Sequence, residues 1–359
     1  MFGSQEVPVY RVPASLSHLA VVTLSVSVLA LSACGGAPEP APVPEAEPAP
    51  AVSGPPAGFD AVAVPADNPA SPEKTALGHQ LFFDTRLSAD NSRSCYSCHL
   101  NENGLTDGRP MAVGAMERQL TRSSPTLWNV PYHEQFYWDG RSGSLEAQAM
   151  AAWTGGNMGA DAATVVATLN GIEGYRSQFQ AVFGADATPE TVVQAIAAYE
   201  RDALVSASSA YDRWRTGDEA AVSDAAKRGA ELFTGSAGCA TCHAGVLFTD
   251  LKYHNVGIGM ETAEPDPGRV KVTGVESDTG AFKTPTLRDI SRSAPYFHNG
   301  SVATLEEAVD FMLGGGYDNP QLDRENLKKV ELSAEQRSDL LAFLRTLEME
   351  DRLEAPSLP

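Results

Sequence analysis

Apolar positions fall into three regimes along the chain. Leu19 to Leu31 is an apolar run with only small polar interruptions, and residues 35–56 (Pro, Ala and Glu for the most part) hold almost no large apolar side chain. From Phe59 to Leu347 apolar residues return at helical spacing, which leaves about 290 residues of folding chain. Within that stretch Thr304-x-x-Glu307 and Ser333-x-x-Gln336 are capping boxes, and Pro189 follows an N-cap at Thr188. Leu340, Leu341, Leu344 and Leu347 share one face of the last helix with Phe343 beside them. Leu305, Val309 and Met312 form another stripe, on a helix that Gly314, Gly315 and Gly316 can end. No segment alternates at period two for long enough to suggest a large sheet. A mainly α-helical fold is predicted.

The pattern also repeats. Gly78-x-x-Leu81-Phe82 is matched by Gly229-x-x-Leu232-Phe233, and Ser124-Pro125-Thr126-Leu127 by Thr284-Pro285-Thr286-Leu287. The pairs Asp139-Gly140/Asn299-Gly300 and Leu145-Glu146/Leu305-Glu306 follow at identical offsets, as a gapless internal duplication requires. Two helical domains are expected, at 58–215 and 216–348, with a tail at 349–359.

Upstream of them, Arg11, the apolar run and Leu31-Ser32-Ala33-Cys34 have the layout of a signal peptide over residues 1–33, too short to span a bilayer comfortably. Its last four residues resemble a bacterial lipobox, so Cys34 would be the lipidated first residue of the mature chain. Ordinary cleavage leaving a free cysteine is the plainer reading. Residues 34–57 then form an extended tether.

Charge narrows the partners. The chain of 359 residues has 46 acidic against 26 basic side chains, a net charge of −20. Nucleic acid is excluded, because phosphate binding needs a surplus of Lys and Arg on some face. Five cysteines are too few for a disulfide scaffold.

Four of those cysteines lie in Cys95-Tyr96-Ser97-Cys98-His99 and Cys239-Ala240-Thr241-Cys242-His243. Each segment is C-x-x-C-H, the haem c attachment pattern. Two thiols three residues apart can bond to the two vinyl groups of one porphyrin, and the adjacent imidazole then meets the iron. A zinc ribbon would keep its four thiols in short loops, and a thioredoxin-like pair needs no following His. Two covalent haem c groups follow, with His99 and His243 as proximal ligands.

Around these motifs the chain resembles the bacterial di-haem cytochrome c peroxidases and their relative that matures the tryptophan tryptophylquinone of methylamine dehydrogenase. The resemblance runs from about Asp67 to Leu347 through LFFDTRLS, CYSCH, SPTLWN, FYWDGR, CATCH, HNVG, DPGR, TPTLRD and APYFHNG. It implies two cytochrome c-like domains, a peroxidatic N-terminal haem and a C-terminal haem that passes electrons to it, with Trp138 between them. It places the distal ligand of the C-terminal haem at Met312, with Met260 as competitor and plain apolar packing as the alternative for Met312. It also implies calcium held between the domains near Ser123, Thr284 and Pro285, where a family Asn is Ser here.

Two positions depart from the peroxidases. No His lies between His99 and His133, so the first iron is either open or closed by Met116. Gln148 matches the family Gln, but Asn157-Met158 stands where a catalytic Glu is usual. Glu can carry a proton between the two peroxide oxygens; Asn can only hydrogen-bond and orient. Glu146, two residues from Gln148 on a helix, points elsewhere. His254 and His298 match motifs around the second haem, as hydrogen-bonding or packing groups; His79 and His133 read as surface or interface residues.

The resemblance implies reduction of hydrogen peroxide with electrons from a small cytochrome c or cupredoxin, in the bacterial periplasm, with membrane attachment only through Cys34. Oxidative modification of a protein partner and plain electron carriage are the alternatives, and a homodimer stays open.

Overall fold

The computed structural model describes residues 55–359; the apolar run, Cys34 and nearly all of the Pro/Ala-rich segment lie outside the described residues. Ten α-helices follow in order among the described residues: α1 (Pro72–Phe83), α2 (Leu145–Thr154), α3 (Ala162–Gly171), α4 (Glu173–Phe183), α5 (Pro189–Ala203), α6 (Ala210–Arg215), α7 (Asp224–Thr234), α8 (Val270–Thr273), α9 (Leu305–Leu313) and α10 (Ala334–Arg345). Sheet there is one antiparallel pair, β1 (Tyr253–His254) and β2 (Phe282–Lys283), with Tyr253 opposite Lys283. The expected caps form: Thr188, Thr304 and Ser333 each close a reciprocal capping box, and Pro189 opens α5. After Leu313 the chain turns through Gly315 (φ 85°) and Gly316 (φ 73°). None of the described helices is long and apolar enough to cross a membrane.

Two helix pairs carry the packing, α1 on α5 and α7 on α10. Each crosses at a glycine. A Cβ on Gly78 would stand 1.9 Å from the Ala195 carbonyl oxygen, and one on Gly229 would stand 2.0 Å from that of Asp339. The helices touch backbone to backbone, which only Gly permits. Gly78→Ala gains about 1 kcal/mol of helix propensity but drives a methyl into a rigid carbonyl. Overpacking dominates, and a net loss of about 2 kcal/mol or more is expected, read as a Tm lowered by roughly 4–8 °C in a thermal melt.

Around each pair lies a hydrophobic cluster, one built on Leu77, Leu81, Trp128, Trp153 and Ile196, the other on Phe233, Phe248, Leu340, Phe343 and Leu344. Local backbone detail recurs between them. Phe136 bridges Ser142 as Tyr296 bridges Val302, and Tyr137 (φ 67°) and Phe297 (φ 69°) hold the same left-handed turn.

Folding contacts extend beyond Leu347 into the tail at 349–359. Met349 and Leu353 are buried in the first cluster, and the Asn101 side chain bonds both the Leu353 amide and its carbonyl. The Pro359 carbonyl accepts from Arg86 at 3.1 Å.

Candidate active site

Both C-x-x-C-H segments lie against the ends of the glycine-crossed helices and share one device. His99 Nδ1–H donates to the Leu105 carbonyl at 2.8 Å, and His243 Nδ1–H donates to that of Phe248 at 2.9 Å. Leu105 (φ 58°) and Phe248 (φ 52°) are buried non-glycine residues held in the left-handed region, a strained arrangement that aims each carbonyl at its imidazole. Tying Nδ1 leaves Nε2 as the ligating nitrogen. Burial lowers both imidazole pKa values, that of His99 to about 4, so each ring is in its neutral, metal-binding form. Burial also pushes the Cys95, Cys98 and Cys239 thiols up, Cys239 to about 11.

A cavity of about 500 Å³ opens in front of the first segment. Cys95, Cys98 and His99 line one part of it, Trp138, Gln148 and Asn157 another. Gln148 projects from α2, and Asn157 follows that helix in a turn that the 112–120 segment straps down: Ala115 N–H donates to the Asn157 carbonyl at 2.9 Å. Trp138 donates through Nε1 to the Ser123 carbonyl at 3.0 Å, while its own carbonyl accepts from Lys283 N–H at 2.8 Å. Pro285 and Thr286, from the second half of the chain, complete the wall behind it. Two thiols, an oriented neutral imidazole and an apolar-walled cavity fit a covalently attached haem.

The other expected residues fall in different places. Met116 is 64% exposed and stands outside the cavity wall, with its amide donating to Asp90. Met312 is half-buried at the end of α9; Leu305 and Val309 of its stripe enter the second cluster together with Cys239, and Met312 does not. Met260 has its sulfur against Gly280. Ser123 spends its hydroxyl on the Phe297 carbonyl, and the Thr284 carbonyl accepts from Thr249 Oγ1. Ser123, Thr284 and Pro285 supply no carboxylate and fewer oxygens than the six to eight a calcium ion takes, so they do not complete a calcium site by themselves. Glu146 is tied to Arg201 and Asn68. Two bonds from Arg201, at 2.7 and 3.0 Å, and one from Asn68 outweigh its burial and hold its pKa below the usual carboxylate range.

His298 is buried and stacked on Phe282 at 3.6 Å, and His254 is clasped between Asp250 and Asp323. Cys242, Asp250 and His254 converge within 4.8 Å, a cluster that thioether formation at Cys242 would claim for the haem. His79 stacks on Tyr199. His133, expected at the surface or an interface, lines the cavity beside Lys283, and burial, then the Lys283 charge, hold it far below its usual pKa.

Sequence reasoning missed two cavity residues. Lys283 is 8% exposed and donates through Nζ to the Gln135 carbonyl at 2.6 Å and to His133 Nδ1 at 3.1 Å. Glu200, on α5, is 4% exposed. The signal for Glu200 was present: it continues the buried stripe of Val192, Val193, Ile196 and Tyr199, where an acid is out of place.

Residues 72–220 match the family model described as di-haem cytochrome c peroxidase. Over 308 residues the chain is 42% identical to the methylamine utilization protein MauG of Methylorubrum extorquens, covering 84% of this chain and 85% of that one. It is 37% identical to the cytochrome c551 peroxidase of Nitrosomonas europaea, over 79% and 82% of the two chains. A MauG-like protein associated with microbial copper homeostasis superimposes with a TM-score of 0.77 at 34% identity, over 84% of this chain and 96% of that one. With both attachment segments and the cavity in place, the chain is a member of the di-haem cytochrome c peroxidase family, a family of c-type oxidoreductases.

Proposed function

We propose that this chain reduces hydrogen peroxide at the cavity beside His99, with electrons that enter from a small cytochrome c or cupredoxin at the His243 segment and pass Trp138. The observation that carries this reading is the convergence of Cys95, Cys98, His99, Trp138, Gln148 and Asn157 on one cavity. When bound there, haem would supply the redox chemistry that peroxide reduction needs. His99 would hold it through Nε2, with Leu105 fixing the tautomer. Gln148 and Asn157 offer amide donors and acceptors that position peroxide but move no proton. Met116 lies at the surface, which leaves His99 as the residue that would hold the iron at this cavity.

At the second segment, Met312 stands off the apolar cluster that takes Leu305 and Val309, and with His243 it would hold the second haem. The recurring turns, glycine crossings and histidine clamps support two domains, 58–215 and 216–348, that arose by duplication. Family membership supports a periplasmic setting, with Cys34 as lipid anchor.

One observation favours a second reading. With Asn at 157 and Glu146 locked by Arg201, the cavity has no free carboxylate on α2 or the turn after it. Peroxide would then turn over slowly, and its oxidising equivalents could be spent on a protein partner. Mixing the haem-loaded protein with a reduced small cytochrome and peroxide tests the first reading: the cytochrome should be oxidised only when both protein and peroxide are present. Oxidation no faster than in the protein-free control would overturn it.

A further inference from the structure

Helix α5 buries Val192, Ile196 and Tyr199, and the next residue breaks the pattern. Glu200 is 4% exposed, its Oε2 has no hydrogen-bond partner, and it lines the same cavity as His99, Gln148 and Asn157. The α7–α10 pair shows what packing alone would place there. Gly229 meets Asp339 and Phe343 as Gly78 meets Ala195 and Tyr199, so the residue after Phe343 occupies the corresponding place. That residue is Leu344, 5% exposed. An aliphatic side chain satisfies the fold at this position. A buried polar atom without a partner costs about 1–3 kcal/mol, so the carboxyl is there for something other than stability.

The charges around it leave it unneutralised. Glu146 faces it from α2, Arg201 and Tyr199 from its own helix, and Cys95 from the attachment segment. Arg201 is committed to Glu146. Lys74 of α1 is committed to Asn68 and the Pro69 carbonyl, and Lys283 on the cavity wall to Gln135 and His133. Burial therefore dominates and pushes the Glu200 pKa up to about 8, into the range where the charge carried in the cavity decides whether the carboxyl holds its proton.

We propose that Glu200 is a proton store of the first haem cavity, taking one proton from solvent when one electron arrives and releasing it when that electron leaves. An added electron removes positive charge from the cavity, and in a low-dielectric wall that strengthens the protonated carboxyl over the carboxylate. Reducing one peroxide to two waters consumes two electrons and two protons, so Glu200 loads one of those protons together with its electron. The inference rests on a haem bonded at Cys95, Cys98 and His99 and on no peroxide turnover at all, so its failure and that of the peroxidase reading are separate results.

The test is a spectroelectrochemical titration of the first haem in the haem-loaded protein, from about pH 6 to pH 9, either side of the Glu200 value. The midpoint potential should fall as pH rises, by at most about 59 mV per tenfold change in proton concentration. In Glu200→Gln and Glu200→Leu the fall should be clearly shallower, with the remainder belonging to other groups such as Lys283. A flat wild-type profile, or the same slope in all three proteins, would overturn the proposal. If both variants lose haem, redox-induced infrared difference spectra of the wild type decide. A protonated-carboxyl band that grows on reduction and fades on oxidation is expected, and no such band would overturn the assignment.

Discussion

Exchange of Cys95 and Cys98 for Ser is expected to leave one covalently bound haem where the wild type has two, and to lower peroxide-driven cytochrome oxidation by at least about 10³-fold, the scale on which removing a catalytic unit acts. Thioether formation needs sulfur, and Ser keeps a similar, slightly smaller shape without the chemistry. The fold should survive, because both cysteines are half-buried at the cavity rim and not inside the helix crossing. Mass spectrometry of the denatured chain reads the haem count. The matching pair, Cys239→Ser with Cys242→Ser, should also leave one haem, yet with the His99 site intact and its electron supply cut. Two haems retained after the first exchange would remove the basis for the site.

The second large effect is a gain. Asn157→Glu should raise kcat/KM for peroxide by about 10²–10⁴-fold, the usual contribution of a positioned acid–base group. Geometry favours it. The Ala115 amide holds the Asn157 carbonyl, and the Ala89 amide holds that of Met158 at 2.9 Å, so a Glu at 157 would leave the backbone from a fixed point at the cavity wall. Glu146 cannot take the role while Arg201 clamps it. The gain should fade as pH falls through the pKa of the new carboxyl, since only the carboxylate can accept the proton. Stopped-flow rates across pH measure both features. Unchanged rates in a variant with wild-type optical spectra would mean that proton transfer is not what limits peroxide turnover, and would favour oxidation of a protein partner.

Much of the fold was legible because helices announce their ends locally. Thr188, Thr304 and Ser333 carry caps whose partners lie three residues away, and the Leu340 to Leu347 stripe is buried as its spacing requires. The contacts of the C-terminal segment were hidden for the opposite reason. Met349 and Leu353 find their pocket among residues more than a hundred positions away, and nothing beside them in sequence signals it. The partner of His133 was hidden likewise, since Lys283 is distant in the chain.

The haem chemistry needed only sequence, because two thiols and an imidazole within five residues constitute the attachment device wherever the chain places them. Which groups face the cavity needed the tertiary structure. Glu146, Glu200 and Asn157 are all polar and near-helical in sequence; one is quenched by Arg201, one is buried without a partner, and one is pinned at the wall. Those differences arise from long-range packing of α1, α2 and α5, which sets solvation and charge pairing side chain by side chain, and residue type alone does not carry that information.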